Sequence, residues 1–208
     1  MSVITSGQRD ALTEMINIGF GRAAASLSKL TGHRVELETP QVAIYPIAEL
    51  KDALGGIVYG EVATVHQVFS GPVGGDALLV LDSKGAALLK ELLTGESALP
   101  IAVDASAQEV ITEVGNILLN ACLGMFGNLL QVHVSFSVPR LSLESLREVL
   151  DSVTVHHEGL RYGMVVHAAF RVRHGAVSGY LVIVLSVASL DRLLAAVEGW
   201  QARQLGER

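Results

Sequence analysis

Charge is scarce in this sequence. Only 17% of its 208 residues are Asp, Glu, Lys or Arg, while half are apolar, which excludes intrinsic disorder and leaves ample material for a core. Cysteine is nearly absent: Cys122 is the only one, so no intrachain disulfide can form and a reducing compartment fits. Cys122 lies in an apolar helical stretch and reads as a buried core thiol rather than a nucleophile. Runs of Lys or Arg are missing as well, and the net charge is −6; nothing tracks a phosphate backbone, and no nucleic-acid partner is expected. The opening residues, MSVITSGQRD, lack the charged start and apolar run of a signal peptide. The most hydrophobic helical stretch, Ile117 to Leu130, is too short to span a bilayer, and Asn116, Asn120 and Asn128 interrupt it. No membrane segment is expected, and the chain reads as cytoplasmic. His156 and His157 come without HExxH or Cys–His spacing, so no metal site is expected. There is no GxGxxG, P-loop or GxSxG.

What is present is said twice. The segment DALTEMINIGFGRAAASLSKL (Asp10 to Leu30) and the segment EVITEVGNILLNACLGMFGNLL (Glu109 to Leu130) both read as long helices. With Glu14 laid on Glu113, Leu12, Met15, Ala23 and Leu30 fall on Ile111, Val114, Cys122 and Leu129. Asn17 falls on Asn116 and, without a gap, Pro40 on Pro139. Each half continues with a strand-like run, Ile57 to Phe69 and Met164 to Val172, then a glycine-bounded run, GGDALLVLD from Gly74 and SGYLVIVLS from Ser178. Each closes with a short amphipathic helix, Ala86 to Leu93 and Leu190 to Val197. Leu54 to Gly56 and Thr94 to Pro100 read as loops, the second as the junction between halves. Residues 1–208 thus read as one α/β (α+β) domain with an internal pseudo-two-fold relating roughly 10–95 to 109–198. Its strands are expected in one largely antiparallel sheet with helices on one face. Thr5 with Gln8 and Ser106 with Glu109 have the spacing of capping boxes at the two helix starts.

A helix turns about 100° per residue, so Asp10, Glu14 and Asn17 fall within roughly 60° of one another. Leu12, Met15, Ile16, Ala23, Leu27 and Leu30 take the other side, which is expected to face the core. In the second helix Glu109, Glu113, Asn116 and Asn120 line one stripe, and Ile111, Val114, Leu118, Cys122, Met125 and Leu129 the other. Glu on an exposed helix face needs no explanation, because Glu is a good helix former. Asn does, since it is a poor one, and it stands at the same turn of both helices. Gly21 also falls on the polar stripe, where the missing Cβ would let a partner's backbone approach. Gly19 and Gly115 fall toward the buried side, where tight packing is the better reading.

These residues resemble the signature of the CheC and CheX chemotaxis phosphatases: Asp or Ser, three residues, Glu, two residues, Asn, twenty-two residues, Pro. Asp10, Glu14, Asn17 and Pro40 match it in full; Glu113, Asn116 and Pro139 match its core, with Glu109 at the leading position. A chance Glu–Asn–Pro match has a frequency on the order of 10⁻⁴ per position at ordinary residue usage, and here it occurs at equivalent places in both halves. Two motifs make the chain similar to CheC rather than to the single-motif CheX, and no length is left for the additional motor domain of the longer switch-associated relatives.

The resemblance implies hydrolysis of the aspartyl phosphate on a CheY-like response regulator in a two-component chemotaxis pathway. It implies that Asn17 and Asn116 orient the attacking water, and that Glu14 and Glu113 pair with the regulator's lysine. Asp10, Gly21, Glu109 and Asn120 would belong to the binding surface, and Pro40 and Pro139 to the structural motif. The phosphatase needs no cofactor of its own, since Mg²⁺ comes with the regulator. CheD is a further partner implied by the family. The alternative is a non-catalytic adaptor that docks a regulator or CheD; two retained asparagines argue against it. Between the sites, the complete signature at Asn17 gives that site the weak preference.

Overall fold

Thr5 opens the first long helix. Its hydroxyl accepts the Gln8 N–H at 3.2 Å, and the Gln8 side chain accepts the Thr5 N–H at 2.9 Å, the reciprocal arrangement of a capping box. The helix, α1 (Ser6–Thr31), ends at Gly32, whose φ of 67° is the left-handed conformation of a helix C-cap. The computed structural model describes residues 3–55, 60–95, 105–156, 160–172 and 175–206. After α1 come β1 (Val35–Leu37), β2 (Gln41–Pro46), α2 (Ile47–Gly55), β3 (Glu61–Ser70), β4 (Gly75–Asp82) and α3 (Ser83–Thr94). The second half follows with α4 (Ala105–Leu130), β5 (Ser135–Phe136), β6 (Arg140–Ser145), α5 (Leu146–His156), β7 (Leu160–Val172), β8 (Gly175–Ser186) and α6 (Val187–Gly206).

Several sequence expectations change here. Ser106 lies inside the first turn of α4, which begins at Ala105, so it is not the cap expected from its spacing to Glu109; residues 101–104 lie outside the described residues. The apolar stretch from Ile117 belongs to a helix of 26 residues, which is long and apolar enough to cross a membrane by length and composition. It packs instead against α1 and the sheet, with 56% of its most apolar window buried. Leu54 and Gly55 finish α2 rather than forming a loop. Gly95 caps α3 with its N–H on the Glu91 carbonyl at 2.9 Å, and the rest of the expected junction, 96–100, lies outside the described residues. The closing helix read as Leu190 to Val197 runs to 20 residues.

All eight strands form one sheet in the order β1-β7-β8-β4-β3-β5, with β2 also on β7 and β6 also on β3, every pairing antiparallel. The halves exchange edges: β1 and β2 from the first half flank β7, and β5 and β6 from the second flank β3. Pro40 stands in the gap between β1 and β2, and Pro139 in the gap between β5 and β6. Proline has no N–H to give a ladder, and an interrupted edge is where it is tolerated. On either side of these gaps the Glu38 N–H donates to Ala169 O at 2.8 Å and the Ser137 N–H to Val68 O at 2.9 Å, and Glu38 and Ser137 are themselves equivalent in the alignment that lays Glu14 on Glu113.

Helices cover both faces of this sheet, not one. Alternation along β4 explains why: Ala77, Leu79 and Leu81 join the core under α1, α3, α4 and α6, whereas Leu78 and Val80 join a second core under α2 and α5. A strand buried on both sides reads as an unbroken apolar run, which is how GGDALLVLD looks in sequence. Leu30 is the other correction. Its spacing predicts the core face, but it is 55% exposed, because it borders an open concavity with Leu93 of α3 and Val110 of α4 rather than the sheet.

Glycine sets how closely the long helices seat. A Cβ on Gly19 would lie 3.1 Å from the Ala121 carbonyl oxygen, and one on Gly115 would lie 2.7 Å from Val65 of β3. Gly115→Ala is therefore expected to cost about 1–3 kcal/mol. Gly21→Ala, where a Cβ meets nothing within 4 Å, is expected to gain up to about 1 kcal/mol. Urea unfolding measures both, and because the edge strands are exchanged the curves are expected to show one transition for both halves. A neutral Gly115→Ala would contradict the close seating of α4 on β3.

Candidate functional site

Burial of one stripe on each long helix decides what the other stripe can do. On α1, Ala11, Leu12, Met15, Ile16, Phe20, Ala23 and Leu27 are buried, and Asp10, Glu14, Asn17 and Gly21 are exposed. On α4, Ile111, Val114, Leu118, Cys122 and Met125 are buried; Glu109 and Glu113 are exposed, and Asn116 and Asn120 half-buried. Each helix therefore carries its carboxylate and its amide together on an accessible face. The two sets do not merge into one centre, because they lie on the outward stripes of separate helices.

The surroundings of the two stripes differ. Asn17 has no side-chain hydrogen-bond partner among the described residues, and the next turn offers only Gly21. Asn116 accepts a hydrogen bond from Asn120 Nδ2 at 2.6 Å. Near the start of α1, Gln8 Nε2 donates to Glu198 Oε1 at 2.8 Å and Gln201 Nε2 to the Gly7 carbonyl at 2.9 Å, so α6 braces that end. The Glu109–Glu113 ridge instead borders two concavities. One, of about 260 Å³, is lined by Leu30, Thr31, Leu93, Val110 and the two glutamates. The other, of about 870 Å³, runs along Ala105, Gln108, Thr112 and the same glutamates and reaches Arg140 and Leu141. Leu30 beside Val110 also shows that the end of α1 lies by the start of α4.

Residues 8–44 match the model of the CheC-like family, a segment that contains Asp10, Glu14, Asn17 and Pro40. The flagellar motor switch phosphatase FliY of Bacillus subtilis is 27% identical over 145 residues, 68% of this chain and 37% of FliY. The CheY-P phosphatase CheC of the same organism is 27% identical over 150 residues, 71% of each chain. The chain is thus similar in sequence to both Bacillus phosphatases. The crystal structure of Thermotoga maritima FliY has the same fold, with a TM-score of 0.73 and 21% identity over 95% of this chain and 98% of that one. The chain thus spans little more than a third of the Bacillus FliY it matches.

Two features of the α4 surface have no local signal in the sequence. Leu30 was assigned to the core, and Arg140 was not singled out, although it directly follows the motif proline, Pro139. Both approach the α4 stripe from other elements, so no local spacing announces them. Among the described residues no group of three or more His, Cys, Asp or Glu is arranged to hold a metal ion; His156 ends α5 and His157 lies outside the described residues.

Cys122 has no part in this surface. It is fully buried on the inner face of α4, and desolvation pushes its thiol up to about 12. The thiolate is the reactive form, so native protein at pH 8 is expected to resist iodoacetamide and to be alkylated once unfolded in urea. Intact-mass measurement reads the difference, and rapid modification of the native chain would contradict the burial.

Proposed function

We propose that this protein is a phosphatase that hydrolyses the aspartyl phosphate of a CheY-like response regulator, at two separate sites. The observation that carries this reading is the outward placement of Glu14 with Asn17 and of Glu113 with Asn116, on helices whose opposite stripes are locked into the core. The names of the Bacillus relatives, a motor switch phosphatase and a CheY-P phosphatase, support the same activity.

The chemistry asks little of the phosphatase. Water attacks phosphorus, the bond to the aspartyl oxygen breaks, and inorganic phosphate leaves with the regulator's carboxylate restored. Such a reaction is accelerated mainly by positioning and electrostatics. The regulator brings Mg²⁺ and a lysine as parts of the substrate. What it needs is a water held in line with the breaking bond. An amide serves because it both donates and accepts hydrogen bonds and, unlike a carboxylate, does not repel the phosphoryl group. Glu14 and Glu113 stand one helical turn away, placed to pair with the regulator's lysine and fix the register of docking. A helix holds both side chains on a rigid mount. Asp10, Glu109 and Gly21 extend the same faces toward the partner. At the second site Leu30, Leu93 and Val110 offer an apolar seat beside the acidic ridge. The chain acts without a cofactor of its own, in the cytoplasm with its regulator. CheD binding is compatible with the remaining surface and is a separate activity.

The test uses a regulator phosphorylated on its aspartate and follows phosphate release. Asn17→Ala with Asn116→Ala is expected to remove the acceleration, a loss of at least about a hundredfold, while regulator binding stays within a few-fold. Glu14→Ala with Glu113→Ala is expected to weaken binding as well. Full turnover in the double Asn variant would refute the water-positioning role. Binding without any acceleration by the unmodified chain would leave the non-catalytic adaptor as the correct reading.

A further inference from the structure

The two halves share the Glu, Asn and Pro of the motif but differ one turn beyond the asparagine. One turn beyond Asn17 stands Gly21; one turn beyond Asn116 stands Asn120. Residues four apart on a helix meet side by side, and here Asn120 Nδ2 donates to Asn116 Oδ1 at 2.6 Å. Asn120 is an expensive choice for this place. It is a poor residue for a helix interior, and its Oδ1 is buried with no hydrogen-bond partner among the described residues, which adds a desolvation cost. Alanine would avoid both costs. An interaction kept against two stability costs points to a purpose outside stability.

The bond has a definite consequence for Asn116. An amide side chain can present either its oxygen or its NH₂ group to a ligand by a half-turn about its last bond. Holding Oδ1 against Asn120 turns Nδ2 of Asn116 away, with no hydrogen-bond partner for it among the described residues, and leaves one oxygen lone pair for a further acceptor bond. Asn17 has no such restraint and must be ordered when a partner arrives.

We propose that Asn120 is a positioning residue of the second site, fixing the Asn116 amide, through the Asn120 Nδ2–Asn116 Oδ1 bond, in the orientation that offers Nδ2 to the water or phosphoryl oxygen of a docked aspartyl phosphate. This rests on the reading of Asn116 as the water-positioning group. It ranks the sites opposite to the completeness of their motifs: the Asn116 site turns over faster because its amide is ordered in advance.

The test works in an Asn17→Ala background, so that phosphate release from the phosphorylated regulator reports the second site alone. Asn120→Ala is expected to lower kcat by on the order of tenfold or more, with KM within about twofold and the unfolding midpoint not lowered, a split that a packing role would not produce. Asn120→Asp keeps the shape but removes the N–H donor, so it is expected to lower kcat as alanine does. Retention of kcat in either variant, or a raised KM with kcat unchanged, overturns the proposal. Side-chain amide relaxation by NMR on the free chain gives an independent reading. The Asn116 amide is expected to be more ordered than that of Asn17 and to lose the excess in Asn120→Ala; equal mobility in the unmodified chain overturns the pin. If the Asn17→Ala protein accelerates phosphate release no more than the Asn17→Ala, Asn116→Ala protein, the phosphatase reading of the second site fails instead, and the NMR comparison still decides whether Asn120 orders Asn116.

Discussion

The azimuth of the two long helices is set by their contacts with the interior, and the functional surface follows from it. On α4, Gly115 brings the helix axis so near β3 that a single added carbon would meet Val65. On α1, Gly19 brings the backbone against Ala121 and Cys122 of α4. With one close contact to the sheet and one between the helices, neither helix can rotate without losing its seat. One residue of rotation is about 100°, enough to carry Asn17 or Asn116 off the accessible stripe. The glycines in the buried stripe and the asparagines in the outer stripe are therefore parts of one constraint, although only the asparagines belong to the motif.

The sheet beneath makes that constraint mutual. Each half contributes a two-part edge to the other's longest strand, β1 and β2 to β7 and β5 and β6 to β3. Neither half could keep those ladders alone. Beneath the sheet, α2 and α5 seal a separate core with Leu50, Leu54, Leu146, Val149, Leu150 and Val153, and the Lys51–Asp151 ion pair bridges them. Polar groups do enter the sheet: His66 Nε2 lies 2.7 Å from the buried Asp76, on the face away from α1 and α4. The sheet's lower layer thus adds a second core, while the upper layer carries the Glu and Asn stripes on helices held rigidly by the first.

The sequence disclosed what is local and hid what is not. The α1 and α4 stripes, the Thr5–Gln8 capping box and the buried glycines were legible, since each depends on spacing within one helix. Helix α5 also had a local signal that went unread. Ser145 and Glu148 form a capping box, with the Ser145 N–H on Glu148 Oε2 at 3.0 Å and the Glu148 N–H on Ser145 Oγ at 3.3 Å. The hydrogen bonds that the carboxylate accepts from the Ser145 hydroxyl, at 2.7 Å, and from the Ser145 N–H hold the exposed Glu148 carboxyl below its ordinary pKa. Strands β5 and β1 are too short, at two and three residues, to show a period. Leu30 misled because periodicity gives the side of a helix and not where along its length the core ends. Helices on the far face were missed for a related reason: an unbroken apolar strand signals burial but not what buries it.

Duplication places equivalent groups, and divergence around them makes the sites unlike. Glu and Asn recur at the same turn of both helices, so the scaffold alone would predict equal sites. Their neighbours come from elements free to vary. The first face carries Gly21 and a helix start braced by Glu198 and Gln201 of α6. The second carries Asn120, an apolar seat from Leu30 and Leu93, and Arg140 where the first half has Gln41. A cation across a groove from two carboxylates changes which charges a partner must present, and an exposed leucine adds area that only a complementary apolar patch would cover. A chain built this way repeats one Glu–Asn pair on two faces whose surrounding charge and apolar area differ.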